Sequence, residues 1–452
     1  MTAENSSPAS VPSAPGADKP AIHGEHNVFA EPWHRRAFVL LCLAEVALIL
    51  ATWPVWLGAS PVRWISVLPP LLADCPRWVD LVLTIVLMVG CGRLASAGEQ
   101  PQLLWKLIVV VIAAVMPLLN VARFQPWHWL FLLLMVQLLL FRGAALRRWN
   151  QLTLASLYVF AAMSRFDPAF PADAGMPTTL LRTLLQLGGL QDVLRDPHTA
   201  RLLVGGLNGM ELLVGVCLLI PRWHRVGVVL AVLVHAALLT ALGPWGLGHS
   251  WGVLIWNVLL LLAVPMLFHR PRRATPVDQS AAAVDGQPSD ERGADGQPLG
   301  WRRSNWRQAL SAVLILVVPA SALLGLADNW LGWQVYSPRT DRVWLRVSRA
   351  AVKQLPRSVQ PFVGNPPPLS DLYPVRIDRW VNAVTGAPIY PEDRYQLRLV
   401  RDVIRDLDDG TFEIGISTAR SPAWWHRQER TVKTHRDLSR AIDGFWVPSV
   451  RR

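Results

Sequence analysis

Glu211, His235 and Asn257 stand one apiece inside three successive apolar stretches, residues 202–220, 226–242 and 251–268. A carboxylate, an imidazole and an amide are costly to bury in lipid, so such groups turn toward other helices or a cavity. A carboxylate and an imidazole placed together could carry protons or hold a polar head such as a quinone carbonyl, because imidazole exchanges its proton near neutral pH. Asn208 and Gly215 flank Glu211 at helical spacing, so Asn208, Glu211 and Gly215 share one helix face. Glu45 occupies the middle of the first apolar run. The candidate intramembrane polar site is therefore Glu45, Asn208, Glu211, His235 and Asn257. A second reading fits the same residues: an interhelical hydrogen-bond set that fixes packing. Gly205 and Gly209 form a small-xxx-small pair of the kind that lets helices approach closely.

No sharper chemistry is spelled out. The four cysteines, Cys42, Cys75, Cys91 and Cys217, include no C-x-x-C pair, so spacing predicts neither a disulfide framework nor a thiol-redox motif. The glycine-rich turn at 243–251 lacks the Lys and Ser/Thr of a phosphate-binding loop. No haem-attachment, iron–sulfur, nucleotide or zinc spacing is present, and no catalytic residue or metal ligand is assigned.

The elements that must position these groups are apolar and repeated. Stretches at about 37–56, 78–94, 103–119, 127–141, 149–164, 202–220, 226–242, 251–268 and 309–326 are each near the length that crosses a ~30 Å hydrocarbon core at ~1.5 Å per residue. The expected fold is an all-α polytopic membrane helix bundle of about nine spans with a small α+β C-terminal domain outside the cytoplasm. Segment by segment, residues 1–31 read as a disordered tail, 32–148 as N-terminal transmembrane helices, 149–269 as a four-helix core, 270–304 as a flexible cytoplasmic linker, 305–328 as the last transmembrane helix and 329–452 as a soluble domain. With the N-terminus in the cytoplasm, the connections carrying most Arg and Lys fall inside, in accord with the positive-inside rule. That orientation sets Glu45, Glu211, His235 and Asn257 at a shared depth, about 10–14 Å below the outer surface. It also places Arg123 and Arg165 in outer connections.

Composition supports the membrane class. Of 452 residues, 52% are hydrophobic and 17% charged, against about 25% charged in soluble domains. Many of the 22 Trp flank the apolar runs, where indoles settle at headgroup depth. The formal charge of +12 follows the loop pattern and forms no separate basic patch, which argues against nucleic acid as a partner. In the C-terminal region, Val343, Leu345 and Val347 alternate as in a strand. Pro391, Glu392 and Asp393 open a helix with an apolar face of Leu397, Val400, Val403, Ile404 and Leu407, and 411–418 alternates again as a strand.

Residues 158–175, including Met163-Ser164-Arg165-Phe166-Asp167-Pro168, together with 208–220, His235 and 251–257, resemble the four-helix core of the DoxX/MauE-like membrane proteins. They also resemble the related HTTM proteins, which are similar to the membrane part of vitamin K-dependent carboxylases. The resemblance covers about residues 149–268. It implies a multi-pass inner-membrane protein with a redox-associated accessory role, a quinone as the implied cofactor and a membrane or periplasmic redox protein as the implied partner. The missing C-x-x-C pair is a departure that counts against direct thiol exchange. The alternative is a non-enzymatic anchor or assembly protein that binds through its C-terminal domain. An HTTM carboxylase-like enzyme would need a large lumenal domain that 329–452 is too short to supply.

Overall fold

The computed structural model describes residues 32–58, 65, 76–96, 102–166, 176–269, 305–419 and 427–444. The expected tail at 1–31, the linker at 270–304 and the part of the family-like stretch at 167–175 lie outside the described residues.

Helices occupy each stretch expected to span. They are α1 Pro32–Ala51, α2 Arg77–Ser96, α3 Leu103–Leu119, α4 Pro126–Leu140 and α5 Gly143–Arg165, then α6 Met176–Leu187, α7 Pro197–Leu219, α8 His224–Leu242 and α9 Trp251–Phe268. The last, α10, runs from Asn305–Ala312 through a π-helical turn, Val313–Val317, into Val318–Leu323. The π turn opens the backbone ladder at a carbonyl that finds another partner: Ser156 Oγ donates to Ile315 O at 2.7 Å.

Nine full crossings do not emerge. Among the described residues, five helices are long and apolar enough to cross a membrane: α2, α7, α8 with its leading turn, α9, and Trp306–Leu323 of α10. Helices α3 and α4 are apolar but shorter, at 17 and 15 residues. Helices α1 and α5 fall outside the five; α1 carries Arg35, Arg36 and Glu45, and α5 carries Arg147, Arg148 and Arg165. Most of α7 and α8 is not buried by the protein itself. Leu202, Leu213, Val229 and Leu233 are exposed there, as are Ile85 and Val89 on α2. Apolar side chains facing outward in such number are compatible with lipid as their solvent.

Sequence neighbours pack against one another from α1 to α5, α5 packs on α7, and α9 returns to α1, which draws the helices into one bundle with a shared core. Gly215 is where α7 and α5 come closest: a Cβ there would lie 2.6 Å from Val159 Cγ2 and 2.9 Å from Val159 N. The expected close-approach pair, Gly205 and Gly209, has nothing within 4 Å of its added Cβ positions. Spacing puts the two on one helix face, but neither glycine is a point of close approach.

The C-terminal domain is a four-stranded antiparallel sheet in the order β2-β1-β3-β4, with β1 Arg342–Ser348, β2 Leu372–Val375, β3 Phe412–Ala419 and β4 Arg427–Val432. Leu345, Val347, Ile414 and Ile416 form the sheet's side of a second core. Helices α11 Ile377–Thr385, α12 Asp393–Val403 and α13 His435–Asp443 pack on it through Trp380, Leu397, Val400 and Leu438. Glu392 is the N-cap of α12, so Pro391 precedes the helix and does not open it.

Candidate functional site

Asn257, on α9, donates from Nδ2 to its own helix at Val253 O, 2.8 Å away. This turns Oδ1 toward Nδ1 of His235 on α8, 3.0 Å away. An amide oxygen only accepts, so Nδ1 carries the imidazole proton in the neutral ring. Nε2 is then the acceptor, and it lies 2.6 Å from the hydroxyl of Tyr158 on α5. The phenol donates into the ring, and Asn257–His235–Tyr158 forms one directed chain across three helices. All three residues are buried.

Glu211 and Asn208, on α7, line the same space. Glu211 is ion-paired with Nη1 of Arg165, the last residue of α5. Arg165 also donates from Nε and Nη2 to Val335 O, at 3.3 and 3.1 Å. Arg165 therefore does not reach outward as a loop charge. Its partners lie on a helix distant in sequence and on the segment that follows α10.

These groups border a cavity of about 620 Å³ between the bundle and the C-terminal domain. Its wall is mostly apolar, with Trp127, Leu157, Val234 and Trp256 from the bundle and Val343 and Ile389 from the domain. Among its lining residues, the indole nitrogens of Trp127 and Trp333 and both amide atoms of Gln334 are buried without a hydrogen-bond partner. Each unmet polar atom costs about 1–3 kcal/mol, so acceptor atoms brought to the indoles would relieve part of that cost. Beside Tyr336, which lines the cavity, Ser250 N donates to His249 Nδ1 at 2.9 Å, which leaves Nε2–H of His249 facing the Tyr336 oxygen at 3.3 Å. Burial lowers the pKa of His249 and raises that of Tyr336, the latter opposed by Arg165.

Glu45 does not join the others. It faces Nδ1 of His128, on α4, at 2.6 Å, while His128 Nε2 meets Ala113 O at 2.8 Å. Both side chains are buried and neither borders the cavity. Equal depth does not determine the direction in which a helix points its side chains, and α1 turns Glu45 toward α4. One further group departs from the sequence reading. Arg123, expected in an outer connection, is wholly buried and pairs with Asp80 at 2.8 Å. Cys42 on α1 and Cys91 on α2 are buried free thiols, as apolar runs predict. Among the described residues no cluster of three or more metal-ligating side chains occurs.

His235, Asn257, Glu211 and Asn208 were singled out because polar groups in apolar runs are conspicuous. Tyr158, Arg165 and His128 were not. A tyrosine reads as an ordinary aromatic, an arginine at a helix end reads as interfacial, and His128 sits between two Trp that suggest a headgroup-level segment. No family model, curated protein or solved structure matches the chain.

Proposed function

We propose that this is an integral membrane protein of DoxX/MauE-like type whose cavity binds a lipophilic ligand bearing hydrogen-bond-accepting oxygens, of the quinone class, in a redox-associated accessory role. The observation that carries this reading is the Asn257–His235–Tyr158 chain at the wall of a mostly apolar cavity. Cavities of about 300–1,000 Å³ with a few placed polar groups are the usual form of small-molecule sites. Asn257 fixes the tautomer, His235 Nε2 accepts the Tyr158 proton, and the phenol oxygen keeps a lone pair that can accept from the hydroxyl of the reduced ligand; as that proton passes to Tyr158, the phenol's own proton passes to Nε2. A quinone oxygen changes its proton count when the ring changes oxidation state, so a relay of this kind suits it. Trp127 and Trp333 offer further donors, and the Arg165–Glu211 pair keeps a charge-neutral end to the space. The arginine distribution, read with nine spans, supports an inner-membrane protein with its N-terminus in the cytoplasm and its C-terminal domain outside, where a membrane or periplasmic redox partner would meet it.

The test is organic extraction of the gently purified protein, with chromatography for bound quinone. Wild type is expected to retain quinone, and Tyr158→Phe and Glu211→Gln/His235→Ala are expected to lose it. Wild type without quinone would overturn the proposal and favour the anchor or assembly reading, with the polar groups serving packing.

A further inference from the structure

The segment from Asp328 to Tyr336, between α10 and β1, belongs to both cores. Trp330 enters the domain core and meets Tyr390 edge-on, with centroids 5.1 Å apart. Leu331 and Trp333 enter the bundle core. The same short stretch supplies Trp330, Trp333, Gln334, Val335 and Tyr336 to the cavity wall. Trp333 and Tyr336 hold left-handed backbone, with φ of 60° and 57°. That conformation costs non-glycine residues roughly 1–3 kcal/mol each, so surrounding contacts must enforce it.

The start of the segment is gripped by residues 390–394, at the entry to α12. Glu392 Oε1 accepts from Asn329 N at 2.8 Å and from Asn329 Nδ2 at 2.9 Å. Asp328 Oδ2 accepts from Tyr390 Oη and Arg394 Nη2. On the bundle side, Ser337 Oγ donates to Ser164 O at 2.7 Å and Gln125 Nε2 to Pro388 O at 3.3 Å. The domain also touches α1 directly: Gly386 (φ +69°) sits so close that an added Cβ would lie 2.7 Å from Ala51 O.

We propose that the C-terminal domain is a wall of the cavity, and that Glu392 and Asp328 are positioning residues that latch the 328–336 segment shut over a bound ligand. The coupling to a ligand rests on the function proposed above; the latch itself does not. Glu392 is the titrating member. Burial, then the Asp328 and Asp341 charges, push its pKa up to about 8, against the opposing pull of Asn329 and Arg394. Tyr390 and Asp393, the latter facing Arg394 and Arg430, complete its charged surroundings. A carboxyl whose pKa is raised on folding contributes fully below its unfolded value and loses that contribution as pH rises through its folded value. The latch is therefore tightest below the ordinary carboxyl value of 4.5, loses strength as pH rises from there, and has lost the contribution of Glu392 above about 8.

The test is amide hydrogen exchange on the full chain in nanodiscs, corrected for intrinsic rates, with bound quinone measured on the same samples. Between pH 7 and pH 9, protection of 329–336 in wild type is expected to fall about tenfold. In Glu392→Gln, which keeps the acceptor oxygen without the charge, it is expected to stay level. Gly386→Ala is expected to lose protection at both pH values. A level wild type, or an equal fall in Glu392→Gln, overturns the latch. Quinone that stays bound at pH 9 while the segment opens overturns the wall. A working latch in a wild type that holds no quinone leaves the latch standing and removes the proposed ligand.

Discussion

The Tyr158 hydroxyl lies 2.6 Å from Nε2 of His235, on the edge of the ring opposite the nitrogen that Asn257 engages. One consequence is a defined tautomer, protonated on Nδ1. Nitrogen-15 spectra of ring-labelled protein are expected to show that tautomer for His235 in wild type and a mixture in Asn257→Leu. Tyr158→Phe removes the hydroxyl that donates to the buried Nε2, at a cost of about 1–3 kcal/mol in stability. A wild-type signal for the Nε2–H form would reverse the direction of the chain and end its use as a relay from Tyr158.

Gly215 and Gly209 make a matched comparison on one helix. Gly215→Ala would drive a methyl group into Val159 of α5, and overpacking of this kind costs about 1–3 kcal/mol. Gly209→Ala meets open space and removes a flexible residue from a helix, so it is expected to be neutral or stabilising by up to ~1 kcal/mol. Thermal unfolding in detergent distinguishes the two. Equal effects would mean that the α5–α7 contact is not centred on Gly215.

That contrast shows what was legible in the sequence. Apolar length and helical period located the helices, and alternation in 343–347 and 411–418 located β1 and β3. Polar residues in apolar runs pointed to Asn208, Glu211, His235 and Asn257, which the fold gathers around one cavity. Period alone states which residues share a face, and it does not state what that face meets. Hence Gly209 was credited with a contact that Gly215 makes, and Glu45 was grouped with His235 although it faces His128. Arg165 was unreadable for a related reason: its partners, Glu211 and Val335 O, are brought to it only by tertiary packing.

Arg123 and Asp80 supply a test of burial. Arg123 pairs with Asp80 and also donates to Val55 O at 3.1 Å and Trp56 O at 2.9 Å. Removing one partner strands a charge in the bundle, so Asp80→Ala is expected to cost about 3–5 kcal/mol. Replacing both, as Asp80→Leu with Arg123→Met, strands no charge and is expected to be milder than the single change. Comparing unfolding midpoints of the single and double variants checks this. A double variant worse than the single would mean that the backbone contacts of Arg123, and not the ion pair, hold the turn after α3.

Glu45 and His128 hold one proton between them. His128 Nε2 must donate, because Ala113 O can only accept. The short contact between Nδ1 and Glu45 Oε1 then needs one hydrogen, carried either by the ring or by the carboxyl. Either arrangement is neutral as a pair, which is what a buried site requires. Glu45→Gln can still donate from its amide to Nδ1 and is expected to fold with little loss, whereas Glu45→Ala leaves Nδ1 unmet at a cost of about 1–3 kcal/mol. Infrared difference spectra between wild type and Glu45→Gln locate the hydrogen. A carboxylic C=O band lost in the variant places it on Glu45, and a carboxylate band lost instead places it on the ring. Loss of stability in Glu45→Gln as large as in Glu45→Ala would show that the site needs the charge of an ion pair and not a single hydrogen bond.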